Sequence, residues 1–117
     1  MKILLVEDHP DVAELSCRVM REIYGHEVRW AETGAQALQA ASAETPELVL
    51  IDLNLPDMSG FEVARKLRSD PAFDHTPLVA VTGFGTLVND EIAKEAGLDA
   101  FFRKPLDFDV LEHLKRP

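Results

Sequence analysis

Hydrophobic positions along the chain fall into two alternating patterns. KILLV (2–6), LVLI (48–51) and PLVAVT (77–82) are short, nearly unbroken apolar runs. Runs of this length read as strands buried on both faces. Between them lie segments whose apolar residues recur every three or four positions. These are DVAELSCRVMREI (11–23) with Val12, Leu15, Val19 and Ile23, and the small-residue stretch TGAQALQAASA (33–43). MSGFEVARKLR (58–68), with Phe61, Ala64 and Leu67, and LVNDEIAKEA (87–96), with Val88, Ile92 and Ala96, repeat the pattern. This spacing predicts helices with one apolar stripe each. Gly25 and Gly97 are placed to stop two of them. EVRWA (27–31) alternates, as expected of a strand with one face open to solvent. DAFFR (99–103) reads as a fifth strand and DVLEHL (109–114) as a short last helix.

Strand and helix therefore alternate five times, with no linker, repeat or low-complexity tract between them. The expected architecture is α/β: a (βα)5 doubly wound parallel sheet covered by helices, forming one domain over residues 1–117. In such sheets ligands sit beyond the carboxyl ends of the strands. Those ends carry Glu7 and Asp8 after the first strand and Asp52 after the third. Thr82 closes the fourth, and Arg103, Lys104 and Pro105 the fifth.

Composition narrows the function. The formal charge of −9 argues against nonspecific nucleic-acid binding, which depends on Lys and Arg neutralising phosphates. Cys17 is the only cysteine, and the four histidines lack metal-ligand spacing. GFG (83–85) belongs to no phosphate-loop motif. The N-terminal MKILLVED is too short for a signal peptide or a membrane span, so a cytoplasmic protein is expected.

Three carboxylates on neighbouring strand ends repel one another unless a cation intervenes. Carboxylate and carbonyl oxygens suit Mg²⁺, with Mn²⁺ as a substitute. With Lys104 as a second positive charge and Thr82 as a hydroxyl, the set has the parts for phosphoryl transfer, with Asp52 as a nucleophile forming an acyl phosphate. Each residue alone has a plainer reading. Asp8 before His9-Pro10 fits a helix cap, Asp52 a turn, Thr82 an ordinary strand residue and Lys104 a solvated charge.

LLVED, LVLIDLNLPDMSGFEV, AVTG and FFRKPLD, in this order and spacing, resemble the receiver domain of two-component response regulators over nearly the whole chain. The resemblance implies a flavodoxin-like sheet with strand order 2-1-3-4-5. It implies that Asp52 accepts phosphate from a sensor histidine kinase or histidine phosphotransfer domain. Asp8, Asp52 and the Asn54 backbone carbonyl would hold Mg²⁺, with Glu7 acting mainly through a metal-bound water. Thr82 and Lys104 would bind the transferred phosphoryl group. Phe101 falls at the aromatic switch position, and the Lys104–Pro105 bond is a cis candidate. Phosphorylation would then shift the face made by the fourth helix, fifth strand and fifth helix. Asn54 and Phe84 stand where such domains tune dephosphorylation.

The chain is thus expected to be a switch that catalyses its own phosphorylation and dephosphorylation, as a monomer or weak homodimer, without an output domain. The competing readings are a phosphohydrolase of the haloacid dehalogenase type, a receiver that is never phosphorylated and a flavodoxin-like cofactor binder. The first needs a carboxylate two residues after its nucleophile, where this chain has Asn54.

Overall fold

A computed structural model of the chain describes residues 1–83 and 85–114. Five strands, β1 (Lys2–Val6), β2 (Glu27–Ala31), β3 (Leu48–Ile51), β4 (Leu78–Thr82) and β5 (Ala100–Arg103), form one parallel sheet. Their order is β2-β1-β3-β4-β5, as the resemblance implied. The register brings the carboxyl ends level: Val6 lies opposite Ala31 on one side and Ile51 on the other, and Thr82 lies opposite Arg103. Every residue of β3, and all of β1 after Lys2, is buried, which explains their unbroken apolar runs.

Helices α1 (Pro10–Arg18), α2 (Gly34–Ala43), α3 (Gly60–Arg68) and α4 (Asp90–Glu95) connect the strands. Side chains from α2, α3 and α4, among them Ala37, Val63, Leu67 and Ala93, pack on one face with Leu4, Val49 and Ile51. Ala13 and Cys17 of α1, with Met20 and Leu111, cover the other face over Ile3, Leu5 and Leu50. α2, α3 and α4 begin at side-chain caps. Thr33 accepts from the Gln36 amide at 3.1 Å, Ser59 from the Glu62 amide at 3.2 Å and Asn89 from the Ile92 amide at 2.9 Å. The caps explain why α3 and α4 start later than their periodicity suggested: Met58 and Leu87 precede the cap residues. Gly25 and Gly97 both adopt positive φ, 72° and 87°, just past helical segments.

Two expectations need correction. The stripe Val12, Leu15, Val19 and Ile23 does not face the sheet: Leu15 is 64% exposed and Ile23 72%. Burial comes instead from Ala13 and Cys17, small side chains that join the cluster of Ile3, Leu5 and Val28, and from Met20 in the π-helical turn Val19–Ile23 that extends it. The last helix is a 3₁₀ helix, Phe108–His113, anchored by the buried Leu111. Phe84 and the basic terminus, residues 115–117, lie outside the described residues. Among those described, no helix is long and apolar enough to cross a membrane.

Candidate functional site

Adjacent strands set the acidic cluster. The Glu7 amide donates to the Ala31 carbonyl at 3.0 Å, and the Glu7 carbonyl accepts from the Trp30 indole at 2.7 Å. β2 thereby fixes the backbone that turns Glu7 and Asp8 over the rim. The Asp52 amide donates to the Val6 carbonyl at 2.9 Å, which sets Asp52 beside that pair. Ligand oxygens of Glu7, Asp8 and Asp52 all lie within 4.8 Å of one another. Asp8 is half-buried, while Glu7 and Asp52 are only 3% and 7% exposed. Asp8 is not the cap of α1; His9 holds that position, and its side chain makes no capping bond.

Lys104 projects from the end of β5 between two of the carboxylates. Its ammonium donates to Glu7 Oε1 at 2.7 Å and to Asp52 Oδ2 at 3.1 Å. Its backbone amide holds the Thr82 carbonyl at 2.8 Å, and the following peptide bond to Pro105 is cis. The other Asp52 oxygen, Oδ1, accepts from the Asn54 amide at 3.0 Å. The turn reading and the nucleophile reading of Asp52 are therefore compatible: one oxygen shapes the loop while the other meets the lysine.

Burial pushes the Glu7 carboxyl up from its ordinary value; the Lys104 bond pulls it down but does not cancel the burial and the neighbouring Asp52. Burial also disfavours the Lys104 charge, yet the bonds to Glu7 and Asp52 outweigh it and raise the lysine above its ordinary range. Three carboxylates facing one ammonium leave an excess of negative charge between buried walls. That donor set fits a hard divalent cation bound through oxygen.

Thr82 is fully buried, and its hydroxyl has no hydrogen-bond partner among the described residues. Phe101 is partly buried against the face covered by α2, α3 and α4, and Phe102 against the opposite face, as alternation along β5 requires. The Asn54 side chain donates to Thr86 Oγ1 at 2.7 Å. Arg103 closes the same loop from the other side, donating to the carbonyls of Gly83 at 2.9 Å and Thr86 at 3.0 Å. Trp30, Thr86 and the loop contacts of Arg103 are not legible in the sequence. Trp30 and Arg103 bond backbone carbonyls and Thr86 meets the Asn54 side chain across two loops, contacts that no motif encodes.

A cleft of about 430 Å³ runs from Asp52 and Lys104 between α1 and residues 105–108. Val12, Leu15 and Val19 line one wall, and Leu106 and Phe108 the other. Three residues of the apolar stripe that does not pack on the sheet thus face this opening, while Ile23 does not line it.

A family model described as the response regulator receiver domain matches residues 3–115. The chain is 33% identical over 107 residues to the polar-differentiation response regulator DivK of Brucella ovis, covering 89% of this chain and 84% of that protein. Among solved structures, it is similar to a CheY-like response regulator receiver domain from Methylobacillus flagellatus, with a TM-score of 0.82 and 34% identity over 95% of this chain and 92% of that one. It is also similar to the response regulator TrrA of Thermotoga maritima, solved in complex with Mg²⁺-BeF, with a TM-score of 0.82 and 30% identity over 97% and 95% of the two chains.

Proposed function

Since the chain belongs to the response regulator receiver domain family, whose members take phosphoryl groups from histidine kinases or phosphotransfer proteins, we propose that Asp52 is its acceptor, working beside a bound Mg²⁺. The observation that carries this reading is the shared Lys104 ammonium. It joins Asp52 to Glu7 across two strand ends, with Asp8 alongside, so the acceptor carboxylate sits where both a cation and a lysine would reach a transferred group. The Mg²⁺-BeF complex of the Thermotoga protein supports the same reading.

Asp8, Asp52 and the Asn54 backbone carbonyl would hold the cation, with Glu7 behind them. When bound, the cation neutralises phosphoryl oxygens and aligns the donor group. The chain's own residues do the rest. An Asp52 oxygen attacks phosphorus in line; the new O–P bond forms as the N–P bond to the donor imidazole breaks, and that imidazole takes up a proton. Lys104 turns from the Asp52 carboxylate to the phosphoryl oxygens it now carries. Thr82 gains the acceptor that its hydroxyl lacks among the described residues. Its movement opens space that Phe101 can enter, coupling the site to the α4–β5 face. The exposed side chains of Val12 and Leu15 beside the cleft offer an apolar seat for the helical surface of the donor.

Asn54 sets the outcome after transfer. Its side chain is an amide tied to Thr86 and supplies no general acid or base, so the phosphoryl group is held rather than turned over. Incubation with acetyl phosphate and Mg²⁺ should give about one acid-labile phosphoryl group per chain, lost slowly, as expected of a single aspartyl acceptor. Chelating the metal should stop the labelling. Sustained multiple turnover of a phosphate ester would contradict the switch reading.

A further inference from the structure

The loop between β3 and α3 carries the acceptor at one end and Asn54 two residues later, and it is fastened at both base and tip. At the base, the Gly60 amide donates to the Leu53 carbonyl at 3.0 Å, and Asn54 pairs with Ser59 in an isolated antiparallel bridge. Gly60 allows this closure: a Cβ there would lie 2.8 Å from Leu53 Cα and closer still to the Asp52 carbonyl. The tip is held by a different element. Asp57 Oδ1 accepts from the Gly34 amide at 2.8 Å and Oδ2 from the Ala35 amide at 2.9 Å, the first two amides of α2. Met58 packs on the same turn so closely that a Cβ on Gly34 would lie 2.7 Å from its sulfur. No residue of α2 belongs to the acidic cluster. The two Asp57 bonds tie its first turn to the loop that carries Asn54.

A carboxylate that gives both oxygens to amides that would otherwise lack helical partners makes a charge-assisted, two-point attachment. The Asp57 carboxyl is held below its ordinary range by those two amides, so the attachment is ionised at neutral pH. We propose that Asp57 is a positioning residue for the acceptor site: it pins the loop tip to the start of α2 and so holds the Asn54 backbone in place relative to Asp52. This rests on the reading of Asp52 as an acceptor beside a divalent cation. Without the pin, a bound cation would have to order residues 54–58 itself, and that ordering would come out of its affinity.

The test compares the full wild-type chain with Asp57→Ala and Asp57→Asn. Mg²⁺ alone is titrated by calorimetry, and the labelling rate with acetyl phosphate is followed against Mg²⁺ concentration. Asp57→Ala should weaken Mg²⁺ binding by about fivefold, and Asp57→Asn, which keeps one acceptor oxygen, by less. At saturating Mg²⁺ the labelling rate should return to within about twofold of wild type, because the pin acts on the metal loop and not on the attack. The weakening should persist at high salt, since a mere loss of negative charge near the cation would be screened. Unchanged Mg²⁺ affinity in both variants would overturn the proposal, as would a labelling defect that saturating Mg²⁺ does not restore or a difference that salt abolishes. Wild-type chain that binds Mg²⁺ yet takes no label would refute the acceptor reading and leave the positioning role to the calorimetry. Wild-type chain that binds no Mg²⁺ would refute both.

Discussion

Thr82 places a hydroxyl in the core with no hydrogen-bond partner among the described residues. A buried polar group left unpaired costs about 1–3 kcal/mol, so the resting fold carries a penalty that an apolar side chain of the same shape would avoid. Thr82→Val should therefore raise the unfolding free energy of the unphosphorylated chain by ~1 kcal/mol in urea. The same variant should lose the extra stability that phosphorylation gives the wild type, because no hydroxyl remains to meet the phosphoryl group. A variant less stable than wild type in the resting state would show that the hydroxyl already has a partner. Thr82, Asp52 and Lys104 were legible in the sequence because each ends or lies just beyond a strand-forming run, where a side chain must reach the carboxyl rim of the sheet. Trp30 and Asp57 were not, because both grip the backbone, at the Glu7 carbonyl and at the amides of α2.

Among the elements, α1 and the C-terminal 3₁₀ helix depart most from their sequence patterns. Periodicity finds large apolar residues, yet in α1 the buried positions are Ala13 and Cys17, and Val12 and Leu15 are left exposed. The last segment packs Phe108, Val110 and Leu114 beside the buried Leu111 and is tied down by a side-chain contact as well. The Tyr24 hydroxyl, at the end of the helical turn after α1, donates to Asp109. That bond to a carboxylate pushes the Tyr24 phenol up from 10 to about 12, with burial and the charges of Asp109, Asp107 and Glu112 adding to it. A phenol raised in the folded state contributes stability that is fully present below the unfolded value near 10 and is lost as pH rises through the folded value. Tyr24 is the only tyrosine, so an ultraviolet alkaline titration reads it directly. The wild-type midpoint should lie near 12, and Asp109→Ala should lower it, with the remaining burial and the charges of Asp107 and Glu112 still holding it up. Coincident midpoints would mean that the tie between the two elements does not form.

At the scale of the whole molecule, five parallel strands bring residues far apart in sequence to one rim, with Lys104 reaching Glu7 and Asp52 from the opposite end of the chain. The sheet and its order were legible because strands buried on both faces leave unbroken apolar runs, and the family resemblance supplied the order. The loop contacts that brace the rim, Asn54 to Thr86 and Arg103 to Gly83 and Thr86, depend on how two loops meet in space, which no linear spacing reveals.

The central claim is that this convergence makes Asp52 a phosphoryl acceptor, and site-specific labelling tests it most directly. Wild-type and Asp52→Asn chains are incubated with a phosphodonor and Mg²⁺, and acid-labile phosphate is quantified and mapped along the chain. The account predicts a label on residue 52 of the wild type and none on the folded Asp52→Asn chain. Equal labelling of the two, or a label mapped to another residue, would contradict it.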